Sequence, residues 1–332
     1  MIYLFLLGGL FLGWSFGRNN LSNVFGTAIG TRMVPFFTAA CLAGIFIFLG
    51  GVFSSTETTG SFLHLAEIKT GLGAFLVSFS IALTILIAGK FGIPVSIAQS
   101  SVGALIGWNL FFRMSNDWPL IFEMVAAWFY GPCVAAVFAM GLFYAFRMFL
   151  RCVRVPLLYR DLWVQGLLIV SGAYASYFLG ANNLPAISGI YLEVVDLNRT
   201  VVVVGICLAI ALGVLMADKR VIETVSKGLF PLSPLEALVV VFSCGLTLYC
   251  FSGVQLARLL QYLHLPSFPL VPVPSSSVLI GAIIGVGAVK GHAGFRWSKL
   301  IKVIVSWLAV PCISALICCV ILGMLQTGGF SF

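Results

Sequence analysis

Hydrophobic runs of membrane-spanning length, about 20 residues, follow one another along the chain and are separated by short polar breaks. The pattern predicts a first helix over residues 2–16, a polar break from Gly17, a short helix from Ser22 to Gly30, and a span over 35–53. A polar turn at 54–61 leads to a span over 63–87. Next comes a short segment after Pro94 that can enter the membrane and turn back, and then a long helix over 121–150, bent at Pro132 because proline lacks the helical N–H. Beyond a basic connection at 151–161, the pattern gives helices over 162–179, ending at Gly180, and over 197–217 and 235–252. An extra interfacial loop at 258–271, a second short segment after Pro272 and a closing helix over 298–325 complete the order. The first run lacks a basic leader and a small-residue cleavage site, so it is expected to be a retained helix rather than a signal peptide.

Composition fixes the solvent. Of 332 residues, 61% are hydrophobic and 8% charged, against about 25% charged in a typical soluble chain. So few charges cannot cover a soluble protein of this size. The expected class is an all-α polytopic membrane protein with the lipid bilayer as its solvent, in the cell membrane (the inner membrane if bacterial). The net charge of +8 does not indicate nucleic acid, because Arg147, Arg151, Arg154 and Arg160 gather in or beside one connection. Such a cluster marks a cytoplasmic loop. The nine cysteines form no CxxC pair and read as packing residues. His64, His264 and His292 share no spacing and are expected at the surface. No apolar segment pairs a nucleophile with a base or gathers a metal cluster, so neither an enzyme nor a cofactor is expected.

The chain repeats itself. Gly17-Arg18-Asn19-Asn20-Leu21-Ser22-Asn23 is echoed by Gly180-Ala181-Asn182-Asn183-Leu184, an offset of 163. Glu57-Thr58 matches Glu223-Thr224, Pro94 matches Pro272, Gly103 and Gly107 match Gly281 and Gly285, and Trp128 and Pro132 match Trp307 and Pro311. The offset rises to 179 without ever falling, and its largest step coincides with the extra loop before Pro272. Five ordered matches imply an internal duplication: a first transmembrane repeat over 1–150, the connection 151–161 and a second repeat over 162–332. Duplicated hydropathy with paired, interrupted segments is the sequence sign of a secondary transporter. An odd number of crossings per repeat would make the halves inverted, with broken helices and re-entrant hairpins meeting at the midplane.

The doubled order G-x-N-[DN]-L-x-N, E-T, P-V-S-x-x-x-S-x-V-G and W-x-x-x-P resembles the inorganic phosphate transporter family across almost the whole chain. The resemblance implies two inverted repeats, a central anion site, and symport of phosphate with Na⁺ or H⁺ by alternating access. It also implies that the Asn motifs and the Ser-rich tips contact the anion and the coupling cation. Three departures stand out. Asn20 and Asn183 occupy positions where the family usually has Asp, Ala186 stands where the first repeat has Asn23, and Arg18 replaces the usual Ala.

These residues suit oxyanion binding. Half-helix N-termini supply free N–H groups and partial positive charge, and Ser96, Ser100, Ser275, Ser276 and Ser277 supply hydroxyls. Asn19, Asn20, Asn23, Gln99, Asn182 and Asn183 can donate NH₂ to an anion or turn C=O toward a cation. Arg18 is a candidate anion partner, and its long chain could instead reach the interface. Asn20, Asn183, Glu57 and Glu223 are the candidate coupling-ion residues, and Na⁺ is the one candidate bound ion. Losing two carboxylates weakens hard-cation binding, which favours H⁺ coupling. The same loss leans toward sulfate, which offers no hydroxyl to an acceptor. Phosphate is placed first by the family resemblance, sulfate or a thiosulfate-like anion second. A passive anion channel is the alternative of another class, ahead of a membrane-embedded enzyme. A homodimer is the candidate assembly.

Overall fold

The computed structural model describes residues 2–54, 65–152, 156–192, 194, 197–291 and 294–328. Its elements are helices, in the order α1 (Ile2–Gly30), α2 (Phe36–Ser54), α3 (Gly71–Lys90), α4 (Ile97–Phe111), α5 (Trp118–Cys152), α6 (Leu157–Asn183), α7 (Pro185–Leu192) and α8 (Arg199–Leu215). Then follow α9 (Lys219–Glu223), one π-helical turn (Thr224–Gly228), α10 (Pro234–Ser252), α11 (Val254–Tyr262), α12 (Ser275–Lys290) and α13 (Trp297–Thr327). Among the described residues six helices are long and apolar enough to cross a membrane, and α8 with its bent continuation, turned by 67° at Met216–Asp218, is a seventh candidate. On α5 and α13 many exposed side chains are apolar, among them Phe122, Phe129, Val137, Leu308, Leu316 and Met324. In a bilayer such faces meet lipid, and helices satisfy their own backbone groups there.

Three expectations are corrected. Helix α1 runs unbroken through the Asn-rich stretch, because Asn20 Nδ2 donates to Phe16 O (3.0 Å) and Ser22 Oγ to Asn19 O (2.9 Å). Side chains that bond back to their own helix let it carry polar groups without opening. In the second half the helix continues past Gly180 to Asn183 and is interrupted only at Leu184, where Pro185 starts α7. The stretch read as an extra loop begins with the amphipathic helix α11, which buries Ala257 and exposes Leu259 and Tyr262. Elsewhere the long helices fall within a few residues of the expected spans, α3 starting later, at the Thr70 cap. Pro132 lies inside a single helix, α5.

Packing is reciprocal between the halves. Helix α1 packs on α3 and α8, and its counterpart α6 packs on α10 and α2; α4 packs on α13, and α12 on α5. The glycines of the motifs are where these helices cross. A Cβ at Gly17 would overlap Ile210 O, and one at Gly180 would overlap Ile47 O. A Cβ at Gly103 would overlap Pro311 O, and one at Gly281 would overlap Pro132 O. Small residues at such crossings let helix backbones touch. Each half therefore completes the packing of the other.

Candidate functional site

Helix α1 presents Asn19, Asn20 and Asn23, all buried, and α6 ends on buried Asn182 and Asn183. Asn19 Nδ2 donates to Val95 O at 2.8 Å, and Val95 precedes the tip of α4. Asn182 Nδ2 donates to Val273 O at 2.9 Å and its Oδ1 accepts from Val273 N–H at 3.1 Å, just before the tip of α12. The first Asn of each motif thus anchors the strand of chain that leads into a short helix. The second Asn bonds back to its own helix, Asn20 to Phe16 O and Asn183 to Leu179 O.

The α12 tip is tied to α1 as well. Ser275 Oγ donates to Asn20 Oδ1 at 3.2 Å, and Asn23 Nδ2 donates to Asn20 Oδ1 at 2.6 Å and to Ser275 Oγ at 3.0 Å. Three side chains from two halves close a small hydrogen-bonded triangle. The opposite position has no such triangle. Ala186 stands where Asn23 would be, and Ile97 where Ser275 would be, and Asn183 Oδ1 is left without a partner.

Other polar atoms at the tips share that condition. Ser96 Oγ, Gln99 Nε2, Ser276 Oγ and Ser277 Oγ are buried without hydrogen-bond partners, while Ser100 Oγ donates to Ser96 O at 3.1 Å. The large majority of buried polar atoms in proteins are bonded, and one left bare costs about 1–3 kcal/mol. The first helical bonds are Ser100 N–H to Ser96 O and Val278 N–H to Pro274 O, so the N–H groups of 97–99 and 275–277 have no partner within their helices. The result is a sealed, neutral centre of hydroxyls, amides and helix N-termini, rich in donors and with the amide oxygen of Asn183 bare. It suits an anion.

The charged candidates lie elsewhere. Arg18 is partly buried, its guanidinium carbon 5.0 Å from the Trp14 ring centroid, and it lines a side cavity with Asn19. Glu223 is exposed at the end of α9, and Glu57 falls outside the described residues. Buried Glu236 was not among the expected residues. It accepts from Ser233 N–H at 2.8 Å and pairs with Lys290 Nζ at 2.8 Å, joining α10 to the end of α12. The run Ser233-Pro234-Leu235-Glu236 carries the signal, since Ser followed three residues later by Glu is a capping box. Among the described residues no three His, Cys, Asp or Glu gather to hold a metal ion.

A helical bundle with paired short helices aimed at matched motifs, and a sealed polar centre between them, defines a membrane carrier. The pattern of the phosphate transporter family matches residues 16–165 and 154–258, and the chain belongs to that family. It is a multi-pass membrane transporter, not an enzyme. It is 26% identical over 316 residues to a candidate phosphate permease of Methanocaldococcus jannaschii, covering 95% of each chain. It is 24% identical to the sulfate permease CysP of Bacillus subtilis, over 93% of this chain and 84% of that one. A solved structure titled as the sodium-dependent phosphate transporter shares the fold, with a TM-score of 0.80 at 19% identity, covering 98% of this chain and 99% of that one.

Proposed function

We propose that the protein carries phosphate across the membrane by cation symport, through alternating access of two inverted repeats, 1–150 and 162–332, joined by a cytoplasmic connection at 151–161. The observation that carries this reading is the set of bare polar atoms at the sealed centre: donors from both tips, and the amide acceptor Asn183 Oδ1. Hydrogen phosphate has oxygens for the donors and one hydroxyl for the acceptor. Sulfate has nothing to give that acceptor, so it is the second reading, supported by the donor-rich tips and by the likeness to a sulfate permease. The anion would rest on Ser96, Gln99, Ser276, Ser277 and the two helix N-termini, with Asn20, Asn23 and Ser275 fixing the frame.

Coupling is by a monovalent cation. Asn19, Asn20, Asn23, Asn182, Asn183 and the tip serines are amides and hydroxyls, none of which titrates near neutral pH. A coupling proton would therefore cross on the anion itself, whereas Na⁺ would use neutral oxygens. The sodium-dependent title of the structural relative supports Na⁺.

Proteoliposomes loaded without substrate test the reading. Labelled phosphate should accumulate against its own gradient when an inward cation gradient is imposed, and sulfate should compete weakly. Entry that only equilibrates would indicate a channel, and sulfate entry without phosphate competition would indicate the second anion. Loss of uptake on Na⁺ removal identifies Na⁺; loss only with protonophore identifies H⁺.

A further inference from the structure

Beside the sealed centre lies a second space, mostly apolar in its lining but with charged groups at one side. A cavity of about 200 Å³ is lined by Ser15, Arg18, Asn19, Gly89, Lys90 and Asp218, together with apolar residues of α3. It sits where α1, the end of α3 and the bend after α8 meet. Asp218 N–H donates to Arg18 O at 2.9 Å, and Arg220 Nη1 donates to Lys90 O at 2.9 Å, so α1, α3 and α9 are held together around it.

Its chemistry is mixed in a particular way. Arg18 and Lys90 bring two positive charges against the one carboxylate of Asp218, so the cavity favours an anion. Arg18 Nε is buried without a hydrogen-bond partner. Asn19, 3% exposed, has its Nδ2 committed to Val95 O and its Oδ1 unpartnered. A Cβ placed on Gly89 would lie 3.9 Å from Asn19 Oδ1 and 3.7 Å from Asp218 Oδ2, so both acceptor oxygens face the same bare patch of α3. An anion without a hydroxyl would find two acceptors there with nothing to give them. Chloride and sulfate are poor matches; a protonated oxyanion fits both the charge and the acceptors.

We propose that this cavity is a waiting site that selects the hydroxylated oxyanion before it reaches the centre. Arg18 and Lys90 attract the charge, and Asn19 Oδ1 and Asp218 Oδ2 each accept one hydroxyl of dihydrogen phosphate. Through Asn19 the cavity touches the strand of chain that leads to Ser96, so the anion arrives one side chain away from the α4 tip. The inference rests on the phosphate reading and assigns part of its selectivity to residues outside the sealed centre.

Gly89→Ala is the informative variant. The nearest atoms to its methyl would be the two acceptors at ordinary van der Waals distance, so the fold accommodates it while both acceptors are covered. Initial rates of labelled phosphate and labelled sulfate uptake into proteoliposomes are compared across wild type, Gly89→Ala and Arg18→Gln, with thermal unfolding in detergent as the folding control. Gly89→Ala should raise the phosphate KM about tenfold and leave the sulfate KM within about twofold, the loss expected for a hydrogen bond between charged partners. Arg18→Gln should raise both by about tenfold. A phosphate KM unchanged in Gly89→Ala overturns the waiting site, as does an equal rise for both anions, or a change in the cation KM instead. If wild-type vesicles take up no phosphate at all, the substrate reading itself fails; if they do and the variants behave as wild type, only the waiting site falls.

Discussion

The Ser275 hydroxyl donates to Asn20 Oδ1 at 3.2 Å although 255 residues separate the two. One belongs to the motif on α1 and the other to the tip of α12, so this bond and its Asn23 neighbour join the halves at the centre.

Converting Asn20 to a carboxylate should change selectivity. In Asn20→Asp the bonds from Asn23 and Ser275 become charge-assisted, which roughly doubles their strength, while the donor to Phe16 O is lost. The added acceptor suits the hydroxyl of hydrogen phosphate, so paired uptake assays should show phosphate rising severalfold relative to sulfate. An unchanged ratio would mean this position does not set the choice.

The two matched Asn residues should separate stability from transport. Asn20→Ala leaves the Ser275 hydroxyl without its acceptor and Asn23 with Ser275 Oγ alone, and should lower stability by about 1–3 kcal/mol. Asn183→Ala removes an oxygen that has no partner in the protein, so it should cost less stability and yet abolish most uptake. Thermal unfolding in detergent beside vesicle uptake checks both, and equal losses of stability would contradict the asymmetry.

Gly180→Ala should destabilise the protein, since its Cβ would overlap the backbone oxygen of Ile47 and neither helix can give way cheaply. Overpacking of this kind costs about 1–3 kcal/mol. Melting of the purified protein should drop clearly below wild type, and a comparable drop is expected for Gly17→Ala at the matching crossing.

Removing Lys290 should strand a buried carboxylate. Lys290→Met should destabilise by about 1–3 kcal/mol, and the double variant Glu236→Gln with Lys290→Met should recover most of it, since Gln keeps the cap on Ser233. Detergent melting of single and double variants reads the coupling. No recovery would mean that the lysine acts through its contact with the Phe230 ring, 5.7 Å away.

Much of this is legible in the sequence. The matched glycines and the paired Asn motifs imply a duplication, and helices cross closely at those glycines in the structure. The continuity of α1 was hidden because consecutive asparagines look like a break; only the i−4 bond from Asn20 to Phe16 O shows how the helix absorbs them. The true interruption, at Leu184, follows from Pro185, whose counterpart in the first half is Ser22. Helix α11 was masked by Pro266 and Pro269 just beyond its end. Glu236 was missed because a capping box reads as local chemistry, and nothing in the sequence brings Lys290 to it.

The bare atoms at the sealed centre have a kinetic consequence. A carrier that closes around its cation without the anion leaves Ser96, Gln99, Ser276, Ser277 and Asn183 unpaired, whereas one that closes around both satisfies them. Closure with the cation alone is then disfavoured, so a cation gradient is not dissipated by idle cycling. The same groups that recognise the cargo also act as the brake on slippage.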